Sequence, residues 1–348
     1  MDALKRRGLL SIFGVAAAGL FIPQLLRLDP DELERFAGVY VTTDNAQQVR
    51  LMVPELYALD AQVGGDGVCQ AAEWCLRKVD LLLSRAKYGE PAGCELQSAY
   101  GELAELAGWL HFDAGRYGRA RFFYGEALSA AQLAEDLNLE VETLASMNIL
   151  SRYRDRPREA VQFIQLAQRR ATGWASPRLA ALLASREAAS WAQLGEASAS
   201  RKAMHRADHT FHPDVQQDDP TWINFFNSAE LSAARATASS HLGRVEQAIA
   251  AGQSAVDGLG AKSQRNRALY SVRLGISLLD EGDQVRACEV VQPVLPLFKE
   301  VRSGRTHAIL GEFLHSLHGF TGIAVRDLLD YARSLDIPLR SHDQIGTL

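Results

Sequence analysis

The chain has 348 residues, of which 47% are hydrophobic and 23% charged, and its formal net charge is −5. That balance is ordinary for a soluble globular protein and supplies apolar material for two domains or one long repeat array. It argues against a body that grips nucleic acid by overall positive charge, which would show a basic excess.

The N-terminal stretch opens with Lys5-Arg6-Arg7 and continues into an uncharged apolar run over residues 8–22. A membrane-spanning helix needs about 20 apolar residues, more than this run provides. A basic start before a short apolar segment is the grammar of an export signal, and Arg6-Arg7-Gly8-Leu9-Leu10 resembles a twin-arginine motif. No A-x-A cleavage pattern follows Ile22, so residues 1–28 read as an apolar segment or linker of a cytoplasmic protein. Membrane association through residues 8–22, as a tethered or exported scaffold, is the alternative. Asp29-Pro30-Asp31-Glu32 then reads as a capped helix start, with the helix running through Phe36.

From Thr43 onward the pattern is helical and paired. Residues 44–62 and 68–86 form the first pair, with Leu51, Leu56 and Leu59 on one apolar stripe and Trp74, Leu76, Val79 and Leu83 on the other. The Gly64-Gly65-Asp66-Gly67 turn between them lacks the GK[ST] ending of a phosphate loop. The stretch Tyr100 to Leu128 has the spacing of a tetratricopeptide repeat: Gly108, Ala120-x-x-x-Tyr124 and Ala127, with Gly115 stopping the first helix. Ala160 and Ala167 stand 40 residues after Ala120 and Ala127, and Gly195 stands 80 after Gly115. Ser176-Pro177 starts the next helix well. After the polar break HPDVQQDDP a helix is expected from Pro220, capped by Asp219, and Ala248 and Ala255 mark its partner. Gly275, Gly282 and Ala287 mark a sixth pair, and a last pair stops before Pro338. The nearest approach to a strand, Val39 to Thr43, is too short to matter.

The expectation is an all-α fold: a TPR-like α-solenoid, a right-handed superhelix of about seven antiparallel helix pairs over residues 29–338, with a flexible tail at 339–348. In such a stack each pair buries its stripe on its neighbours, and first helices line a concave face. That places Glu105, Trp109, Phe112, Asp113, Asn148, Arg152, Ser185, Glu230, Thr237 and His241 in a groove. Their mixture of aromatic, amide and charged groups suits a peptide or protein segment.

The chemistry-bearing clusters are weaker. His205, His209 and His212 share a helix end with Asp208 and Asp214, but no HExxH accompanies them, and histidines at a helix C-terminus are favoured by the macrodipole. Arg152, Arg154, Arg156 and Arg158 gather at one turn beside Asp155 and Glu159, which reads as a solvated ion-pair network. Cys69, Cys75, Cys94 and Cys288 show no CxxC and read as free thiols; Cys69 and Cys75, six apart on a helix, point to different sides. There is no GxSxG, Cys–His signature or dinucleotide glycine motif. The chain reads as non-enzymatic, with no cofactor and no metal.

Several stretches resemble a family of actinobacterial transcriptional regulators in which a helix-turn-helix domain precedes a TPR-like solenoid. They are the Lys5 to Leu10 segment, Leu59-Asp60-x-x-Val63-Gly64-Gly65, and above all Leu103-Ala104-x-Leu106-Ala107-Gly108-Trp109-Leu110-x-Phe112-Asp113-Ala114-Gly115. Ser176 to Leu179, Ala184 to Ala188, and Trp222-x-x-Phe225-Phe226-x-x-Ala229-Glu230-Leu231 complete the set. The resemblance implies a sensor half that binds a peptide or protein partner, can form a homodimer, and touches DNA only indirectly or through a separate helix-turn-helix domain.

Overall fold

A computed structural model describes residues 40–62, 66–260, 263–301 and 303–337. The apolar run at 8–22, the helix start at Asp29, the Gly64-Gly65 turn and the tail at 339–348 lie outside the described residues. Regular structure is helical almost throughout. The exception is a two-residue parallel pairing of Tyr40–Val41 with Lys87–Tyr88, so the stretch expected to be too short to matter does pair. No described helix is long and apolar enough to cross a membrane. The described chain divides into two compact units. One takes residues up to 112 together with 119–143; the other takes 113–118 together with 144 onward.

In the first unit, α1 (Thr43–Arg50) starts at a reciprocal cap, in which Thr42 Oγ1 accepts from the Asn45 amide and Asn45 Oδ1 accepts from the Thr42 amide. The expected continuous helix over 44–62 is broken at Leu51, and α2 runs Met52–Gln62. Pro54 explains the break: it has no N–H to donate and its ring collides with the carbonyl four residues earlier. Leu51, expected in the apolar stripe, is therefore 61% exposed. Helices α3 (Asp66–Arg85), α4 (Glu90–Asp113) and α5 (Tyr117–Leu133) follow. Leu96, Leu103, Leu106 and Leu110 of α4 and Phe123 of α5 share a core with Val68, Leu76 and Val79 of α3. Gly108 is where α4 and α5 touch. A Cβ there would lie 2.5 Å from the ring of the fully buried Tyr124, which is why the repeat spacing demands glycine at that position. Cys69 and Cys75 are both buried, and no disulfide joins them.

The second unit is built of helices, most of which pack on the next one in the chain. They are α6 (Leu137–Tyr153, of which the part from Leu144 belongs here), α7 (Pro157–Arg170), α8 (Pro177–Gln193), α9 (Ala197–Thr210), α10 (Ser228–His241), α11 (Val245–Asp257), α12 (Gln264–Glu281), α13 (Gln284–Val291), α14 (Gly304–Ser316) and α15 (Ile323–Ser334). Helix α8 also packs on α10, and α12 on α14. The register mark repeats in the backbone: Gly115, Asp155 and Gly195, spaced by 40, have φ of 79°, 54° and 83°. Each lets the chain leave one helix through the left-handed region, and Asp155 takes a place otherwise held by glycine.

Two expectations change here. The helix after the polar break starts at Ser228, not Pro220, and its cap is Asn227, whose Oδ1 accepts from the Ala229 amide at 2.9 Å and the Glu230 amide at 3.2 Å. Residues Thr221–Ile223 make only a 3-10 turn. Asp219 is committed elsewhere: it pairs with the buried Arg178 guanidinium at 3.0 Å and accepts from the Gln216 amide. The second helix of the sixth pair is also cut short at Val291, passing into a 3-10 segment over Gln292–Lys299 that contains Pro293 and Pro296.

Candidate functional site

The second unit contains a cavity of about 380 Å³ whose floor is made by what its helices lack. On α10 the facing positions are Ala233, Ala236, Thr237 and Ser240, and on α11 they are Ala248, Gly252 and Ala255. These spacings put small residues on one stripe of each helix, so no side chain fills the space between them. The volume falls in the range of about 300–1,000 Å³ usual for small-ligand sites.

Into this space project the longer side chains of neighbouring elements: Arg152 and Tyr153 from the end of α6, Gln193 from the end of α8, and Tyr270 and Arg273 from α12. Arg273 donates to the Tyr153 hydroxyl at 2.6 Å and reaches Thr237 Oγ1 at 3.4 Å. Gln193 donates to the Arg152 carbonyl at 3.0 Å, holding the C-terminus of α6 against that of α8. The Thr237 hydroxyl donates to the Ala233 carbonyl of its own helix. His241 stands exposed at the end of α10, and Asp155 and Glu312 are exposed where they meet the lining.

The charges around the cavity are mixed: Arg152 and Arg273 line it together with the exposed Asp155 and Glu312. Among the described residues neither Arg152 nor Arg273 lies within ion-pairing distance of a carboxylate. Burial pushes the Arg152 guanidinium down to about 10, the positive charges of Arg273 and Arg186 push it the same way, and Tyr153 only partly opposes them. Burial disfavours ionisation of the Tyr153 phenol, but Arg273 and Arg305 outweigh it and hold that group below the ordinary tyrosine range. At the mouth, partial desolvation and the charges of Arg152 and Arg273 depress the His241 imidazole, against the opposing pull of Asp155. Behind the floor, burial raises the Glu230 carboxyl despite its hydrogen bond with Tyr270 and the nearby arginines. The Asn266 amide also donates to Glu230, at 2.8 Å.

Of the ten residues read as a groove, the cavity brings together Arg152, Thr237 and His241, with Glu230 beside it. The others do different work. Glu105 is buried and accepts from the Tyr57 hydroxyl at 3.2 Å, and Trp109 packs against Phe112 with ring centroids 5.6 Å apart, all within the first unit. Phe112 is core, at 1% exposure. Asn148, fully buried, donates to the Ala160 carbonyl and to Ser190 Oγ, both at 2.8 Å, and so staples α6 to α7 and α8. Ser185 is buried with its hydroxyl on the Leu182 carbonyl.

Asp113 is buried in the second unit, where it accepts from Ser303 Oγ at 2.9 Å and pairs with Arg305 at 3.2 Å and Arg265 at 3.5 Å. Glu105, Phe112, Asp113, Asn148 and Ser185 are thus packing residues and not an open groove, because each is nearly without solvent exposure. The arginine cluster at 152–158 is also divided. Arg156 and Arg158 are exposed as expected of a solvated network, while Arg152 turns to the cavity without an acidic partner. Glu159 accepts instead from Ser151 Oγ at 2.8 Å. His205, His209 and His212 form no metal-binding group, and among the described residues there is none.

Sequence reasoning missed Tyr153, Gln193, Tyr270 and Arg273. The signal that points to them is the paired small-residue stripe on α10 and α11, which marks where space is left open. No protein-family model matches this chain, and no curated protein matches it.

Proposed function

We propose that this chain is a non-enzymatic regulatory protein with a tetratricopeptide-like helical array, of the transcriptional-regulator type, whose second unit takes a peptide or protein segment in the cavity between α6, α10, α11 and α12. The observation that carries this reading is the cavity itself. Small apolar floors on two helices leave room for a side chain or chain end, and Arg152, Arg273, Thr237 and Gln193 supply a few convergent polar groups. The repeat register at offsets of 40, with glycine at the Gly108 contact, supports the tetratricopeptide part of the reading. DNA contact, in this account, falls to a separate helix-turn-helix domain, and homodimerisation is a further expectation of the same class.

The test is a peptide array probed with the full chain and with Ala236→Trp. Ala236 is only partly buried and borders the cavity, so the indole grows into open space. Wild type is expected to retain a subset of peptides and the tryptophan variant to lose them while keeping its helical circular dichroism. Retention of the same peptides by a folded Ala236→Trp variant would move the site elsewhere, and specific retardation of promoter DNA by this chain alone would contradict the indirect role.

A further inference from the structure

We propose that the cavity is a carboxylate receptor, in which Arg152 and Arg273 together hold a single negative charge of the ligand. The proposal rests on the reading of this cavity as a peptide site and specifies the group that the site recognises. Two guanidinium groups from different helices, α6 and α12, converge on one cavity and neither has an acidic partner among the described residues. Elsewhere in the same unit buried arginines are neutralised: Arg178 by Asp219, and Arg305 by Asp113. Two guanidinium groups with no carboxylate in contact are costly in a partly desolvated space unless an anion arrives to share their charge.

Arg273 is already aimed, its guanidinium fixed by Tyr153 and Thr237, and an ordered fork meets a carboxylate with little further loss of freedom. The valence follows from the rest of the lining. Asp155 and Glu312 both border the cavity and are solvent-exposed, so their charges oppose a doubly charged phosphate more than a singly charged carboxylate. The small floor on α10 and α11 leaves room for the apolar side chain next to that carboxylate.

Isothermal titration of the full chain with a pool of N-acetylated hexapeptides lacking Asp and Glu, supplied as free acids and as C-terminal amides, tests this directly. Amidated peptides carrying one internal glutamate separate a side-chain carboxylate from a terminal one, and inorganic phosphate serves as the third probe. The expected result is that peptides with a carboxylate at either place bind about tenfold or more tighter than neutral amides. Arg152→Gln is expected to erase that preference, and Arg156→Gln, at an exposed position of the same turn, to leave it intact. Arg152→Gln removes a charge that Arg273 and Arg186 already disfavour, so its melting temperature is expected not to fall. The comparison of acids with amides on wild type stands without any variant. Equal binding of acids and amides, unchanged in Arg152→Gln, overturns the carboxylate receptor and leaves the peptide site standing. Binding of phosphate alone, lost in Arg152→Gln, overturns the carboxylate receptor and the peptide reading together.

Discussion

Asp113→Ala is expected to cost about 3–5 kcal/mol of stability, the range for removing one partner of a buried ion pair. Asp113 joins residues 190 positions apart in the chain: its carboxylate accepts from Ser303 Oγ at 2.9 Å and from the Arg305 guanidinium. Arg305 is itself buried, and although burial alone would depress its guanidinium, Tyr153 and Asp113 outweigh that and hold it firmly charged. Without Asp113 that charge loses its carboxylate partner, while the Tyr153 hydroxyl stays at 3.4 Å. The contact is also close in the backbone, since a Cβ on Gly304 would lie 2.5 Å from the Ala114 carbonyl oxygen. Urea unfolding followed by circular dichroism measures the loss. Asp113→Ala/Arg305→Met is expected to recover a good part of it, because the uncompensated charge goes too. A loss below about 1 kcal/mol, typical of an exposed pair, would show that Asp113 is solvated.

Arg178→Ala is expected to be as severe, again about 3–5 kcal/mol, and to act on one loop. Arg178 is 1% exposed, donates to the carbonyls of Ile223 and Phe226 at 3.0 and 2.9 Å, and pairs with Asp219 at 3.0 Å. It fastens the polar connection between α9 and α10 onto α8. Its removal takes the guanidinium from the buried Asp219 carboxylate, which keeps the Ser176 hydroxyl and the Gln216 amide, and from the Ile223 and Phe226 carbonyls, of which Ile223 keeps the Phe226 amide. Hydrogen exchange over residues 211–227 is expected to quicken well before global unfolding. Because α10 supplies half of the cavity floor, peptide binding is expected to weaken in the same variant. Unchanged exchange across that loop would contradict the role given to Arg178.

These two clusters mark the limit of what was legible in the sequence. Helical class and many turn positions follow from local chemistry: Gly108 and Tyr124 meet because the close approach of α4 and α5 leaves no room for a Cβ, and Gly115, Asp155 and Gly195 recur because each lets the chain turn from one helix into the next. Those are interactions between near neighbours, and spacing encodes them. Asp219 was read as a cap because Asp-Pro is a strong local start signal, but a buried arginine 41 residues earlier competes for the same carboxylate and wins. Asp113 and Phe112 were read as groove residues because they lie on a first helix, yet the first helix must also meet its neighbours, and burial decides which face each residue takes. Arg152 is legible as a groove residue but Arg273, which lines the same cavity, is not, because nothing local shows that the small stripes of α10 and α11 leave both guanidinium groups facing the same space.

The central claim is that the second unit's cavity is where the ligand sits. The measurement that bears on it most directly is hydrogen–deuterium exchange of the full chain with and without a peptide retained on the array. Protection is predicted in α10, in α12 around Tyr270 to Ser277, and at the α6 end around Arg152, with the first unit's α1 to α5 unchanged. Protection concentrated in residues 43–133, with none across 228–281, would contradict the account.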